Sequence, residues 1–205
     1  CSGMGGPARY LAWKTGCRVT GLDLTRSRVQ GATELTAVAG LSDRVQFVEG
    51  NALAMPFKAA SFTLAIGQEA FAHIPHKAQL VSECARVLRP GGRLVFSDIL
   101  RRQTLPQEDA RRLFDGMRFS EIASVDDYAG WLQTHGMRMV HVLDLSEEWT
   151  RILRERHAMY QSLQAQTVER LGREHYERYD QAYAHFVGLY QVGVLGGALI
   201  HAERL

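Results

Sequence analysis

The 205 residues predict an α/β fold, a doubly wound and mostly parallel sheet with helices on both faces. Three observations predict it. Apolar runs of strand length alternate with amphipathic runs of helix length, the pattern that builds parallel sheets. A glycine turn, Cys1-Ser2-Gly3-Met4-Gly5-Gly6-Pro7, leads straight into a helical run, Ala8-Arg9-Tyr10-Leu11-Ala12-Trp13. The next strand, Val19-Thr20-Gly21-Leu22-Asp23, ends in an acid, the arrangement with which such sheets hold a nucleoside and its ribose hydroxyls.

Each element follows in order. Glycine lets the turn adopt φ > 0 and lets a ligand lie against the backbone. Pro7 suits the first turn of a helix, whose free N–H groups then point into the turn. The spacing is Gly-x-Gly-Gly, unlike the Gly-x-Gly-x-x-Gly of dinucleotide sites. Because the turn begins at Gly3, the strand that feeds it is expected ahead of residue 1, in a longer biological chain. Thr25 can cap a helix running to about Ala39, and Gly40 can close it in the left-handed conformation. Arg44–Glu49 alternates like a strand and stops at Gly50-Asn51-Ala52. Ser61–Ile66 is the next strand, followed by Gly67-Gln68-Glu69. Lys77–Leu88 is an amphipathic helix, and Arg89-Pro90-Gly91-Gly92 terminates it. Arg93–Ser97 is a buried strand ending at Asp98. Asp23, Asn51, Gln68 and Asp98 therefore fall at strand ends, where ligands of such sheets sit, and are expected to face one crevice.

Beyond Asp98 the pattern changes. Arg101–Phe119 is polar, basic and partly helical. Ser124-Val125-Asp126-Asp127 opens a helix that ends at His135-Gly136, and Met139–Asp144 is a strand. Glu147–Leu171 reads as one long helix, Tyr176–Tyr190 as another, and Val194–Ala202 as a last strand. The expectation is one domain over residues 1–205 with a helical insertion at about 101–136. That insertion reads equally as a substrate cover or as a solvated helical connection.

Composition narrows the function. A hydrophobic fraction of 46% and a charged fraction of 22% are ordinary for a globular domain, and the net charge of +2 is spread along the chain. Neither nucleic acid nor an anionic membrane is indicated. No apolar run in these residues is long enough to span a bilayer, and none of them reads as a signal peptide. The three cysteines, Cys1, Cys17 and Cys84, form no CxxC and read as small buried thiols of a reducing, cytoplasmic compartment. The eight histidines show no metal-binding spacing, and no metal is expected. Oligomeric state has no signature in the sequence.

The glycine turn, Gly21-Leu22-Asp23, Gly50-Asn51-Ala52 and above all Glu83-Cys84-Ala85-Arg86-Val87-Leu88-Arg89-Pro90-Gly91-Gly92 resemble the class I S-adenosylmethionine-dependent methyltransferases. The resemblance covers residues 1 to about 100 and implies a Rossmann-like, seven-stranded sheet with S-adenosylmethionine as cofactor. Gln68-Glu69-Ala70-Phe71-Ala72-His73-Ile74-Pro75-His76-Lys77 is similar to the sarcosine/dimethylglycine, phosphoethanolamine and natural-product sugar methyltransferases. These imply a small polar methyl acceptor bearing an amine or hydroxyl. Two positions depart from the family pattern. Asn51 stands where an acid usually accepts from the adenine amine, and Pro7 stands where the loop has a third glycine.

The resemblance assigns the cofactor to Gly3, Met4, Gly5, Asp23, Leu24, Asn51, Ala52 and Gln68. A carboxylate at Asp23 can accept from both ribose hydroxyls. His73 is the candidate base, since imidazole exchanges a proton near neutrality; its other reading is a histidine bonded to a backbone carbonyl. Asp98 can orient a cationic acceptor or position His73, or simply cap the following loop. A nicotinamide oxidoreductase is the competing enzyme class, disfavoured by the glycine spacing and the Arg86–Gly92 run. A non-catalytic nucleoside-binding module is the competing non-enzyme.

Overall fold

The alternation read in the sequence folds as two units, residues 1–61 and 62–205, in the computed structural model, which describes all of residues 1–205.

In the first unit, left-handed Gly5 (φ 77°) precedes helix α1 (Gly6–Thr15), with Pro7 in its first turn. Strand β1 (Val19–Asp23), helix α2 (Arg26–Val38) and strand β2 (Val45–Glu49) follow. β1 and β2 pair in parallel, Val19 opposite Val45 and Asp23 opposite Glu49. Gly40 is left-handed as expected, and the Leu41 N–H donates to Thr36 O at 3.1 Å, closing the last turn of α2. Thr25 occupies the N-cap of α2, but its side chain makes no capping bond. Its N–H instead donates to Asp23 Oδ1 at 3.0 Å.

The second unit runs β3 (Phe62–Gln68), a 3₁₀ turn (Phe71–His73), α3 (Lys77–Val87), β4 (Leu88–Arg101), α4 (Gln107–Met117), α5 (Val125–Thr134), β5 (Met137–Asp144), α6 (Ser146–Ser162), α7 (Gln164–Leu171), α8 (Arg173–Gln191) and β6 (Leu195–Arg204). Its sheet has the order β3-β4-β6-β5. β3 is parallel to β4, while β6 is antiparallel to both β4 and β5. β6 is thus the one reversed strand of this sheet. The six strands stand where the sequence predicts them within residues 1–205, but they fall into two sheets, of two and four strands, in place of one. The Arg89–Gly92 run follows the end of α3 as expected and loops out of the β3–β4 ladder: Phe62 opposes Leu88, Leu64 opposes Arg93, and Gly91 between them is left-handed at φ 72°. The single long helix expected over Glu147–Leu171 is two, α6 and α7, joined at Leu163.

Strand alternation assigns the faces of this sheet. Phe96 points toward α5, its ring 4.8 Å from that of Tyr128. Gly197, on the opposite face, lies directly under Trp149 of α6, where a Cβ would fall 2.1 Å from the indole. Helices therefore cover both faces, as expected. Within the 101–136 stretch, α5 buries Tyr128 and Leu132 as a layer helix. α4 packs against α8, with Leu113 buried among Phe119, Phe186 and Tyr190. Only one of the three thiols meets the expectation of burial. Cys84 is buried, which pushes its thiol up to about 12, whereas Cys1 and Cys17 are exposed. No helix is long and apolar enough to cross a membrane.

Candidate active site

The first unit builds its site around Asp23, which is 2% exposed. The Gly3 N–H donates to Asp23 Oδ2 at 2.8 Å, and the Thr25 N–H donates to Oδ1 at 3.0 Å. Burial alone would raise this carboxyl, but the Thr25 and Gly3 amides, with Arg28, hold it below the usual carboxylate range. Each oxygen accepts one backbone bond and keeps a further lone pair. The turn above it is closed on one side and open on the other. A Cβ on Gly5 would fall 2.3 Å from Phe47 Cζ, and one on Gly21 2.5 Å from the same ring. A Cβ on Gly3 or Gly6 would meet nothing within 4 Å. This is the form of a cradle in which a ligand lies against bare backbone, and it fits a nucleoside whose ribose reaches Asp23.

The other predicted residues of this unit differ in what they can offer. Met4 contributes backbone only: its side chain lies against Gly31 of α2, where an added Cβ would be 2.5 Å from Met4 Cε. Leu24 is exposed just after the strand end, and Ala52 is half-buried. Asn51 is exposed, but its Oδ1 already accepts the Leu53 N–H at 2.9 Å, which leaves one lone pair for an incoming amine.

In the second unit, Gln68 is exposed at the end of β3, opposite Ser97 of β4. It lines a cavity of about 390 Å³ together with Glu69, Ile66, Ser97, Trp149 and Leu199. Neither His73 nor Asp98 lines that cavity. Strand alternation explains Asp98: it points to the face opposite Ser97, toward α3 and α5.

Asp98 is fully buried, so the expectation that it meets an acceptor is corrected. Its Oδ1 accepts the Ala72 N–H at 2.9 Å and its Oδ2 accepts the Tyr128 hydroxyl at 2.7 Å. The cationic amine it binds is the chain's own: Lys77 Nζ, also buried, lies 3.7 Å from Oδ2 and donates to Phe71 O. Burial pushes Asp98 up and Lys77 down, each opposed by the other's charge.

His73 is exposed on the 3₁₀ turn that Asp98 grips through Ala72. Its Nδ1 lies 3.1 Å from Arg118 O. A carbonyl only accepts, so Nδ1 carries the proton and Nε2 carries the lone pair. The ring also packs on Phe119, with centroids 5.2 Å apart. The ring is thus bonded to a backbone carbonyl, and in its neutral form that bond leaves the lone pair on Nε2.

Sequence reasoning passed over Glu69. It is a non-glycine residue at φ 49°, a strained conformation that surrounding structure must impose. It stands beside Gln68 at the end of β3. Burial first, and then charges that include Glu69, raise both the Tyr183 and Tyr190 phenols. The sequence signal available was only its place after Gly67-Gln68.

Over residues 1–96 the sequence matches a family of methyltransferase domains. This stretch is a methyltransferase domain. A curated relative, methyltransferase GfsG of Streptomyces halstedii, is 34% identical over 150 residues, covering 71% of the chain and 54% of the relative. The sarcosine/dimethylglycine N-methyltransferase of Halorhodospira halochloris is 26% identical over 207 residues, 99% of the chain and 73% of the relative. A solved structure assigned as a sarcosine dimethylglycine methyltransferase from Galdieria sulphuraria superposes with a TM-score of 0.92 at 21% identity, covering 99% of the chain and 75% of that structure. The methyltransferase domain thus carries the α/β, Rossmann-like fold that the sequence implied. The chain spans about half the length of several curated relatives it matches.

Proposed function

We propose that the chain belongs to an S-adenosylmethionine-dependent methyltransferase that methylates an amine or hydroxyl of a small polar molecule, with sarcosine/dimethylglycine-like N-methylation favoured. The observation that carries the proposal is the Asp23 carboxylate, fixed by the Gly3 and Thr25 amides beneath a turn that is open at Gly3 and Gly6. The N-methyltransferase relative that aligns with 99% of the chain supports the amine acceptor.

When bound, S-adenosylmethionine supplies a methyl group made electrophilic by its positively charged sulfur. Asp23 accepts from the ribose hydroxyls with its remaining lone pairs, and Asn51 Oδ1 accepts from the adenine amine with its own. Gly3, Gly5 and the Met4 backbone, with Leu24 and Ala52, shape the cradle, and Gln68 serves the methionine part. His73 Nε2 would take the proton the acceptor must give up, from an ammonium before its lone pair is free to attack or from a hydroxyl as it attacks. Alignment and exclusion of water are the remaining contributions of the protein. α4 and the segment after it act as substrate cover. A second reading, O-methylation of a sugar or a larger natural product, is favoured by the apolar walls of the 390 Å³ cavity, Ile66, Trp149 and Leu199.

Two measurements test the proposal on the full chain. S-adenosylhomocysteine should raise the melting temperature and NAD should not; the reverse result refutes it. Methyl transfer from labelled S-adenosylmethionine, screened over glycine derivatives, phosphoethanolamine, sugars and phenols, then identifies the acceptor. Tight cofactor binding with no transfer to any class would favour the non-catalytic module.

A further inference from the structure

We propose that Lys77, Asp98 and Tyr128 are positioning residues that fix the tautomer and orientation of His73, an inference that rests on His73 acting on the acceptor. The turn carrying His73 is short and weakly held by its own backbone. Its internal bonds are His73 N–H to Ala70 O at 3.3 Å and Ile74 N–H to Phe71 O at 2.8 Å. A single 3₁₀ turn of this kind does not set a ring position by itself.

The bonds that fix it come from elsewhere. From beneath, Asp98 accepts the Ala72 N–H, and Lys77 donates to Phe71 O. From α5, the Tyr128 hydroxyl, wholly buried, donates to the second oxygen of Asp98. From the segment after α4, the Ser120 N–H donates to Ala72 O at 2.9 Å, and Ser120 Oγ donates to His73 O at 2.7 Å. Arg118 O accepts from the ring, and Glu121 Oε2 accepts the Lys77 N–H at 3.2 Å. Every backbone polar atom from Phe71 O to His73 O that these groups reach is thereby tied to β4, α3 or the 118–121 segment.

The chemistry of the clamp argues for a role beyond packing. Burying an acid and an ammonium is costly even when they pair, and apolar replacements of such pairs are often as stable or more so. Stability alone is a weak reason to place Asp98 and Lys77 in the core. What a charged pair does, and an apolar pair does not, is hold a backbone N–H and a backbone carbonyl of one turn in fixed register. Those two groups are the halves of one peptide unit, Phe71–Ala72, immediately ahead of His73.

The test uses the full chain and does not require the acceptor. Tyr128→Phe removes one hydroxyl and keeps the ring. Lys77→Met removes the ammonium and keeps the stem. Nitrogen-detected NMR of the His73 ring should report the Nδ1–H tautomer in the wild type and a mixture of tautomers, with faster N–H exchange, in both variants. Melting with S-adenosylhomocysteine should still show cofactor binding. With the acceptor in hand, kcat should fall about 10- to 100-fold while both KM values hold, the scale of a small misplacement of a reacting group. If both variants keep the wild-type His73 spectrum, the inference is overturned. Should Lys77→Met fail to fold, Tyr128→Phe decides alone. If the spectra change but His73→Gln is fully active, the clamp stands and the base assignment of His73 fails.

Discussion

In Asp23→Asn one carboxylate oxygen becomes an amide nitrogen that must face either the Gly3 or the Thr25 N–H. One of those two bonds, 2.8 Å and 3.0 Å in the wild type, is then lost. Both donors are only partly buried, so leaving one unpaired should cost at most about 1 kcal/mol, and the ligand-free protein should melt slightly earlier. Affinity is a separate quantity. A hydroxyl donating to a carboxylate is worth about 1.5–3 kcal/mol, which corresponds to roughly 10- to 150-fold in affinity. Calorimetry with S-adenosylhomocysteine and with its 2′-deoxy and 3′-deoxy counterparts separates this bond from general damage to the turn. The wild type should prefer the ribose form by about that factor, and Asp23→Asn should lose most of the preference, as in a double-mutant cycle. Equal binding of ribose and deoxyribose forms by the wild type, or a preference that survives in Asp23→Asn, would refute the assignment of Asp23 to the ribose.

His73→Ala should lower kcat by roughly 10²–10⁴-fold with cofactor affinity unchanged, and His73→Gln should restore little if Nε2 removes a proton; equal rates across pH would return His73 to a packing role. Gly5→Ala combines left-handed strain with a Cβ 2.3 Å from Phe47, and should cost about 2–5 kcal/mol, read as a lowered melting temperature. Gly3→Ala meets open space and should cost only the strain, about 1–2 kcal/mol, so its larger effect should be on cofactor affinity in calorimetry. Asp127 caps α5, accepting from Ser124 N–H and Oγ and pairing with Arg101 at 2.8 Å. Burial opposes, but these bonds hold its carboxyl below the usual range. The stabilisation is therefore present above the ordinary carboxylate pKa and is lost as pH falls through the depressed one. Half-exposed as the pair is, Asp127→Ala should cost about 0.5–1 kcal/mol at neutral pH and nothing in strong acid, measured by denaturant unfolding.

The capping box Ser124/Asp127 and the left-handed Gly40 were legible because each depends on a few adjacent residues. The strand-end places of Asp23 and Gln68 were legible because their strands stop at clear polar boundaries. Asp98 shared that boundary, but its direction was not readable. Leu94-Val95-Phe96-Ser97-Asp98 carries no clean alternation of polar and apolar residues, because helices cover both faces of β4, so the run does not say which face each residue takes. The Met4 side chain is decided by where α2 places Gly31, a tertiary fact. Glu69 was hidden because a positive φ at a non-glycine residue leaves no mark in the sequence. The break at Leu163 lies in a run whose periodicity and charge continue across it.

The reversed strand β6 also sets a timetable for folding. β5 pairs with no strand other than β6, and β6 separates it from β4. About 50 residues of helix lie between the end of β5 and the start of β6. At synthesis rates of about 5–20 residues per second, β5 waits several seconds for its partner. The first unit needs no such wait, since β1 and β2 are both complete by Glu49. The second unit is then half a sheet with open ladders on β4 and β5 until its last strand is made. That interval is when a nascent chain is most exposed to mispairing. Removing β6 would leave a fully synthesised chain in that same open state for good.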